Sequence, residues 1–147
     1  METGAPITAH TTGGAMVLNI IELLKSQGVN LGDVAIGHLD NNTLHLGYIL
    51  MIARTGVYVQ FDNIGKTKYY PDSLRIDILK QLIKEGYGFR ILLSGDQGRR
   101  SYFKSYGGGP GFEYLLKGFI PLMRKKGISE GDIRQITVGN PKNFFTF

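Results

Sequence analysis

Four times along the chain a short, largely apolar segment ends in a histidine or an aspartate and gives way to a stretch with helical spacing. That alternation restricts the fold more than any other feature. The strand-like segments are Gly4 to His10, Asp33 to His38, Val57 to Asp62 and Arg90 to Asp96. The intervening stretches carry apolar residues three and four apart, as an amphipathic helix does. Ala15 to Ser26 has Val17, Leu18, Ile21 and Leu24 in that spacing, with Gly28 as its stop. A second helix is capped by Asn42 and Thr43 and runs to about Arg54, with His45 inside it as a structural or surface residue. Pro71-Asp72-Ser73 opens a third, with Ile76, Leu79, Leu82 and Ile83 on one face and a close near Gly86. Phe112 to Lys126 reads as a fourth helix, kinked near Pro121, followed by a short helix from Ser129-Glu130. A last turn starts at Asn140-Pro141 and closes on Phe144 and Phe145. Strand followed by crossover helix implies parallel strands covered on both faces, hence an α/β fold.

The length, 147 residues, suits one domain (1–147) with a substantial core and is short for two. Apolar residues make up 42% and charged residues 20%, as in ordinary globular proteins. The longest apolar run, Tyr48 to Ala53, is far below the roughly 20 residues of a membrane span. The first residues lack the basic start and apolar stretch of a signal peptide, so the expected location is cytoplasmic. Absence of cysteine excludes disulfides and thiolate metal sites, leaving histidine and carboxylate as the available ligands. The net charge of +5 comes from scattered cations such as Lys66, Lys68, Arg99, Arg100 and Arg124 to Lys126. That scatter predicts no nucleic-acid partner, and a basic nucleic-acid binder stays as the weakest alternative.

His10, His38, Asp62 and Asp96 fall at the carboxyl ends of the four strands, the edge on which α/β enzymes build their sites. Any one of them alone reads more readily as a loop cap than as a ligand. Four at equivalent positions point to a site for zinc, manganese or iron. Gly65-Lys66-Thr67 lacks the first glycine of a phosphate-binding loop, since Gln60 stands there, and Gly107 to Gly111 is no dinucleotide fingerprint.

Thr8-Ala9-His10-Thr11, Ile36-Gly37-His38-Leu39-Asp40 and Leu93-Ser94-Gly95-Asp96 resemble the three later metal motifs of the phosphotriesterase-like family of the amidohydrolase superfamily. Phe61 to Lys66, Tyr70-Pro71-Asp72, Arg99 to Tyr102, Gly107 to Phe112 and Asn140-Pro141 are similar to further family signatures, in order and without a large gap. The resemblance implies half of a (β/α)8 barrel, strands five to eight with their helices. It also implies a centre of two divalent metal ions, zinc first, with manganese, cobalt or iron as alternatives. His10 and His38 would ligate the more exposed metal. Asp96 would ligate the buried one and serve as the catalytic proton acceptor for the attacking hydroxide. The family's first-strand His-x-His pair and fourth-strand bridging residue have no counterpart, so the isolated chain is expected to hold little or no hydrolase activity.

Lys66, Lys68, Arg99 and Tyr102 are the candidate substrate-binding residues, a set suited to phosphate. Family members that hydrolyse phosphorylated sugar lactones look similar in these segments, and phosphotriesters are the other substrate class. Asn63 stands where some acyl-homoserine lactonases of the family carry arginine, which weakens that substrate choice. The expected partners are a small-molecule substrate and either a homo-oligomer or a complementing N-terminal half, because half a barrel exposes strand edges and apolar flanks. A catalytically inactive half-barrel serving as a binding or assembly module is the alternative function.

Overall fold

The structure is a computed structural model and describes residues 3–41 and 45–146. Four parallel strands pair in sequence order: β1 (Ile7–Ala9), β2 (Val34–Ile36), β3 (Tyr58–Phe61) and β4 (Ile91–Leu93). The register runs Thr8 to Ala35 to Tyr58, then Gln60 to Leu92. Between them lie α1 (Val17–Ser26), α2 (Leu46–Arg54) and α3 (Asp72–Lys84), each a crossover that returns the chain to a parallel neighbour. The α/β reading is therefore borne out. The strands are shorter than expected, three or four residues each, and the polar residues assigned to their ends lie one to three positions beyond them.

Alternation along each strand separates two faces. Val34, Ile36, Val59, Phe61 and Ile91 point into the main core with Val17, Ile49, Ile52, Ile76, Leu79 and Leu82 of the helices. Ala35, Tyr58 and Leu92 point the other way and form a small second cluster with Phe144. The Tyr58 and Phe144 rings meet edge to face at 5.1 Å. This second face lies opposite the layer of α1 to α3.

Several boundaries differ from the sequence reading for physical reasons. The second helix starts at Leu46, so His45 precedes it as an exposed cap residue rather than lying inside it. The cap assigned to Asn42 and Thr43 lies outside the described residues. Phe112 precedes the fourth helix and is 74% exposed. That helix opens with a wide turn, Leu115–Phe119, in which the Ile120 N–H donates to the Leu115 carbonyl five residues back, before α4 (Ile120–Lys125). Pro121 follows directly. Its ring cannot tolerate a regular carbonyl four residues earlier, and the extra residue in the turn relieves the clash. The same arrangement recurs at Pro141. Here α5 (Glu130–Arg134), a wide turn (Gln135–Gly139) closed by Asn140 N–H to Gln135 carbonyl, and α6 (Asn140–Phe145) form one continuous rod. The short helix and the separate last turn read from the sequence are thus a single element. Buried Asn140 ties that rod to the sheet, donating from Nδ2 to the Gly88 and Ile91 carbonyls at 2.8 and 2.7 Å.

Leu18 shares the apolar spacing of α1 but is 40% exposed, whereas Val17 and Ile21 are buried. Core truncation should separate these positions: Leu79→Ala, at a fully buried site, should lower unfolding free energy by about 2–5 kcal/mol. Leu18→Ala should change it by no more than roughly 0.5 kcal/mol. Urea denaturation of the two variants checks both values.

Candidate active site

The carboxyl ends of the four strands open onto one edge of the sheet, and the loops there bring together residues from all four units. Thr11, just past β1, donates its hydroxyl to the Gly37 carbonyl at 2.7 Å and accepts from Gly14 N–H, which locks the first loop onto the second strand. His10 and His38 then lie with ring centroids 4.6 Å apart, edge to face. His38 adopts left-handed backbone, φ 58°. Its N–H donates to Asp62 Oδ2 at 2.9 Å, and its Nδ1 meets Asp62 Oδ1 at 2.7 Å. A carboxylate on Nδ1 selects the tautomer with its proton there and leaves Nε2 with a lone pair for a ligand. The glycine at 37 makes room for this pair, since a Cβ there would come within 3.1 Å of Asp62 Oδ2.

Asp62 is itself held by a buried ionic network. Asp40 accepts from the N–H groups of Asp62 and Asn63 at 3.2 and 2.9 Å. Arg75, without solvent exposure, donates from Nε to Asp40 Oδ2 at 2.8 Å and from Nη1 to Asp72 Oδ1 at 2.7 Å. Asp72 also accepts from Gly65 N–H at 3.2 Å and from the Tyr114 hydroxyl at 2.9 Å. Burial and the nearby Asp72 charge push the Tyr114 phenol up to about 12. Burial, then the Asp40 charge, raise the Asp62 carboxyl to about 6 against the opposing pull of His38.

A cleft of about 260 Å³ is lined by His10, His38, Asn63, Tyr69, Asp96 and Arg99. Asp96, in left-handed backbone at φ 42°, pairs with the Lys66 ammonium, whose side chain is 1% exposed. A neighbouring cleft of about 230 Å³ contains Lys66, Lys68 and Tyr102. Lys66 and Lys68 stand over the Tyr102 ring at 4.5 and 5.6 Å from its centroid. Burial raises the Tyr102 phenol, but the hydrogen bond to Lys68 and the Lys66 charge outweigh it and bring the group below its ordinary value. The structure thus gathers the predicted residues into two adjoining clefts: His10, His38, Asp96 and Arg99 in one, Lys66, Lys68 and Tyr102 in the other. Tyr69, Asn63 and Asn41 were not assigned a site role and also line the first cleft. Position after β3 was the available signal for Tyr69, and the acid three residues before Arg75 was the signal for the network.

The donor set offers a metal two imidazoles in contact, one of them already oriented by a carboxylate. Among the described residues no three His, Asp or Glu side chains converge as a complete metal shell.

Residues 1–145 match the Phosphotriesterase family. The chain belongs to that family. It is 44% identical over 144 residues to the phosphotriesterase homology protein of Escherichia coli K12, covering 98% of this chain and 49% of that protein. It is 38% identical over 150 residues to a phospho-furanose lactonase of Mycoplasmopsis synoviae, covering 99% of this chain and 42% of the relative. Among solved structures it superposes on the Escherichia coli phosphotriesterase homology protein complexed with phosphate in its active site, with TM-score 0.93 and 43% identity over 99% of this chain and 49% of that one. A lactonase from Listeria monocytogenes gives TM-score 0.93 at 42% identity, over 99% of this chain and 46% of that one. The chain spans about half the length of the curated relatives it matches. The half-barrel reading agrees with this coverage. No helix among the described residues is long and apolar enough to cross a membrane.

Two measurements follow from the network. Arg75→Met leaves two buried carboxylates without their cation and should destabilise the fold by about 3–5 kcal/mol in chemical denaturation. A carboxyl raised in the folded state binds its proton more tightly there than in the unfolded chain. The Asp62 contribution to stability is therefore present below the unfolded value near 3.8 and lost as pH rises through about 6. Denaturation between those limits should show stability falling with pH, and Asp62→Asn should flatten that slope.

Proposed function

We propose that the chain is the metal-binding and substrate-binding half of a hydrolase that opens phosphorylated sugar lactones, with phosphotriesters as a second substrate class. The observation that carries this reading is the adjacency of the two clefts, imidazoles and an acid in one, cations and a phenol in the next. The relatives named lactonase and the phosphate in the active site of the Escherichia coli structure support it.

In this reading His10 and His38 hold the more exposed of two divalent ions, zinc in preference to manganese, cobalt or iron. Asp62 keeps His38 in the tautomer that can bind. Bound there, two such ions would supply a hydroxide at neutral pH and would polarise the scissile carbonyl or phosphoryl oxygen. Asp96 would hold the second ion and would accept the proton of the attacking water. Arg99, Lys68 and Tyr102 take the phosphate group and orient the lactone toward the histidines. Placing Lys66 in that phosphate set is the wider form of the same proposal.

The remaining ligands come from a second half-barrel. The outer edges of β1 and β4 pair with no strand among the described residues, and exposed Leu18 and Leu23 on one flank and Phe112 and Leu116 after β4 are apolar. An inactive assembly module is the second reading that these flanks favour.

The purified chain alone should bind less than two equivalents of metal and turn over no phosphorylated lactone. Mixing it with the separately expressed N-terminal half of a relative should restore two metals and hydrolysis, read by elemental analysis and a lactone-opening assay. Two bound metals with turnover by the chain alone would refute the need for a second half. No metal under either condition would leave the assembly module.

A further inference from the structure

We infer that Lys66, unlike Lys68 of the proposed phosphate set, is a positioning residue that fixes Asp96 beside the histidines. The inference rests on the proposed roles of Asp96 and of the phosphate cleft, and it deepens them. Lys66 and Lys68 are two residues apart, and charge alone does not distinguish them. Their surroundings do. The Lys66 side chain is 1% exposed, and its Nζ donates to the Asp96 carbonyl at 2.5 Å and to Asp96 Oδ2. The Tyr102 ring closes over the same ammonium at 4.5 Å.

An ammonium taken out of water in this way is costly to move, because leaving would break two charge-assisted hydrogen bonds and a cation–π contact. It is therefore poorly placed to follow a substrate. Asp96, by contrast, needs a tie. It sits past the end of β4 in left-handed backbone, between Gly95 and Gln97-Gly98, and a non-glycine residue keeps that conformation only when its surroundings impose it. Lys66 grips both its carbonyl and one carboxylate oxygen, which fixes backbone and side chain together. Among the described residues no donor occupies Asp96 Oδ1, and 48% of the side chain faces solvent in the cleft shared with His10 and His38. Gly65 helps deliver the lysine. It has φ 85°, and a Cβ there would come within 2.7 Å of Pro110 and 2.8 Å of Tyr114, so the turn before Lys66 is built for glycine. Lys68 is exposed and stands 4.8 Å from the Tyr69 ring centroid, with Tyr69 lining the histidine cleft. Its ammonium can reach an anion without leaving a buried partner.

The test uses the full chain with 15N-labelled lysine side chains. The Lys66 ammonium should give a resonance that exchanges with water about tenfold more slowly than those of exposed lysines. Asp96→Asn should abolish that protection, and Lys68→Ala should leave it. Inorganic phosphate should move the Lys68 resonance and not that of Lys66, and Lys68→Ala should weaken phosphate binding about tenfold. Zinc affinity, measured by competition with a chromogenic chelator, should fall about tenfold in Lys66→Met and stay unchanged in Lys68→Ala. A merely structural lysine would lower the melting temperature and leave zinc affinity alone. A Lys66 signal that follows phosphate, or keeps its protection in Asp96→Asn, overturns the assignment. If the wild-type chain takes up no zinc, the metal reading fails, and the ammonium signals alone decide the role of Lys66.

Discussion

One buried guanidinium sets the conditions for the rest of the site. Arg75 reaches from α3 to Asp40 after β2 and to Asp72 at the start of its own helix, with neither it nor Asp40 exposed. Charges removed from water are stable only when their remaining donors and acceptors are occupied. Here the Asp40 oxygens take the N–H groups of Asp62 and Asn63, and Asp72 takes those of Gly65 and the Tyr114 hydroxyl. The same atoms that satisfy the network therefore hold the end of β3, the turn before Lys66 and the entry to the fourth helix. Two carboxylates around one cation leave an excess negative charge, and part of it is felt by Asp62, raised first by burial and then by Asp40. Packing and site electrostatics thus have one origin.

That origin explains how far the sequence could be read. The alternation of strand and helix was legible because it follows from backbone periodicity, and the helix layer fills as the spacing of Ile76, Leu79 and Leu82 requires. Strand ends were legible only as polarity. His38 and Asp96 leave the strands through left-handed backbone, which no apolar pattern encodes. Pro121 and Pro141 read as interruptions, yet each is absorbed by a widened turn, so apparent breaks were continuous rods. Leu18 fits a helical stripe but lies at its edge, and 40% of it stays exposed.

The site residues divide in the same way. His10, His38 and Asp96 were found by their equivalent positions, and the structure gathers them in one cleft. Asp62 was found as a fourth strand-end acid, but its role as partner of His38 depends on a contact across two strands. Lys66 and Lys68 look alike in sequence because a cation's type says nothing of its burial. Only the turn at Gly65, pressed against Pro110 and Tyr114, sends one inward and leaves the other exposed.

The face of the sheet opposite α1 to α3 carries the last constraint. Below the site Ala35, Tyr58 and Leu92 are buried against Phe144, which arrives from the far end of the chain. Thr8 on the first strand of the same face is exposed. A closed barrel fills its interior with layers contributed by alternate strands, and four strands supply half of each layer. Phe144 packs against the part of that half-layer contributed by β2 to β4. Among the described residues the upper part, ringed by His10, His38 and Asp96, has no such aromatic packed on it. The position of that one aromatic side chain leaves the imidazoles open to the cleft, on the side where a second set of strands would stand.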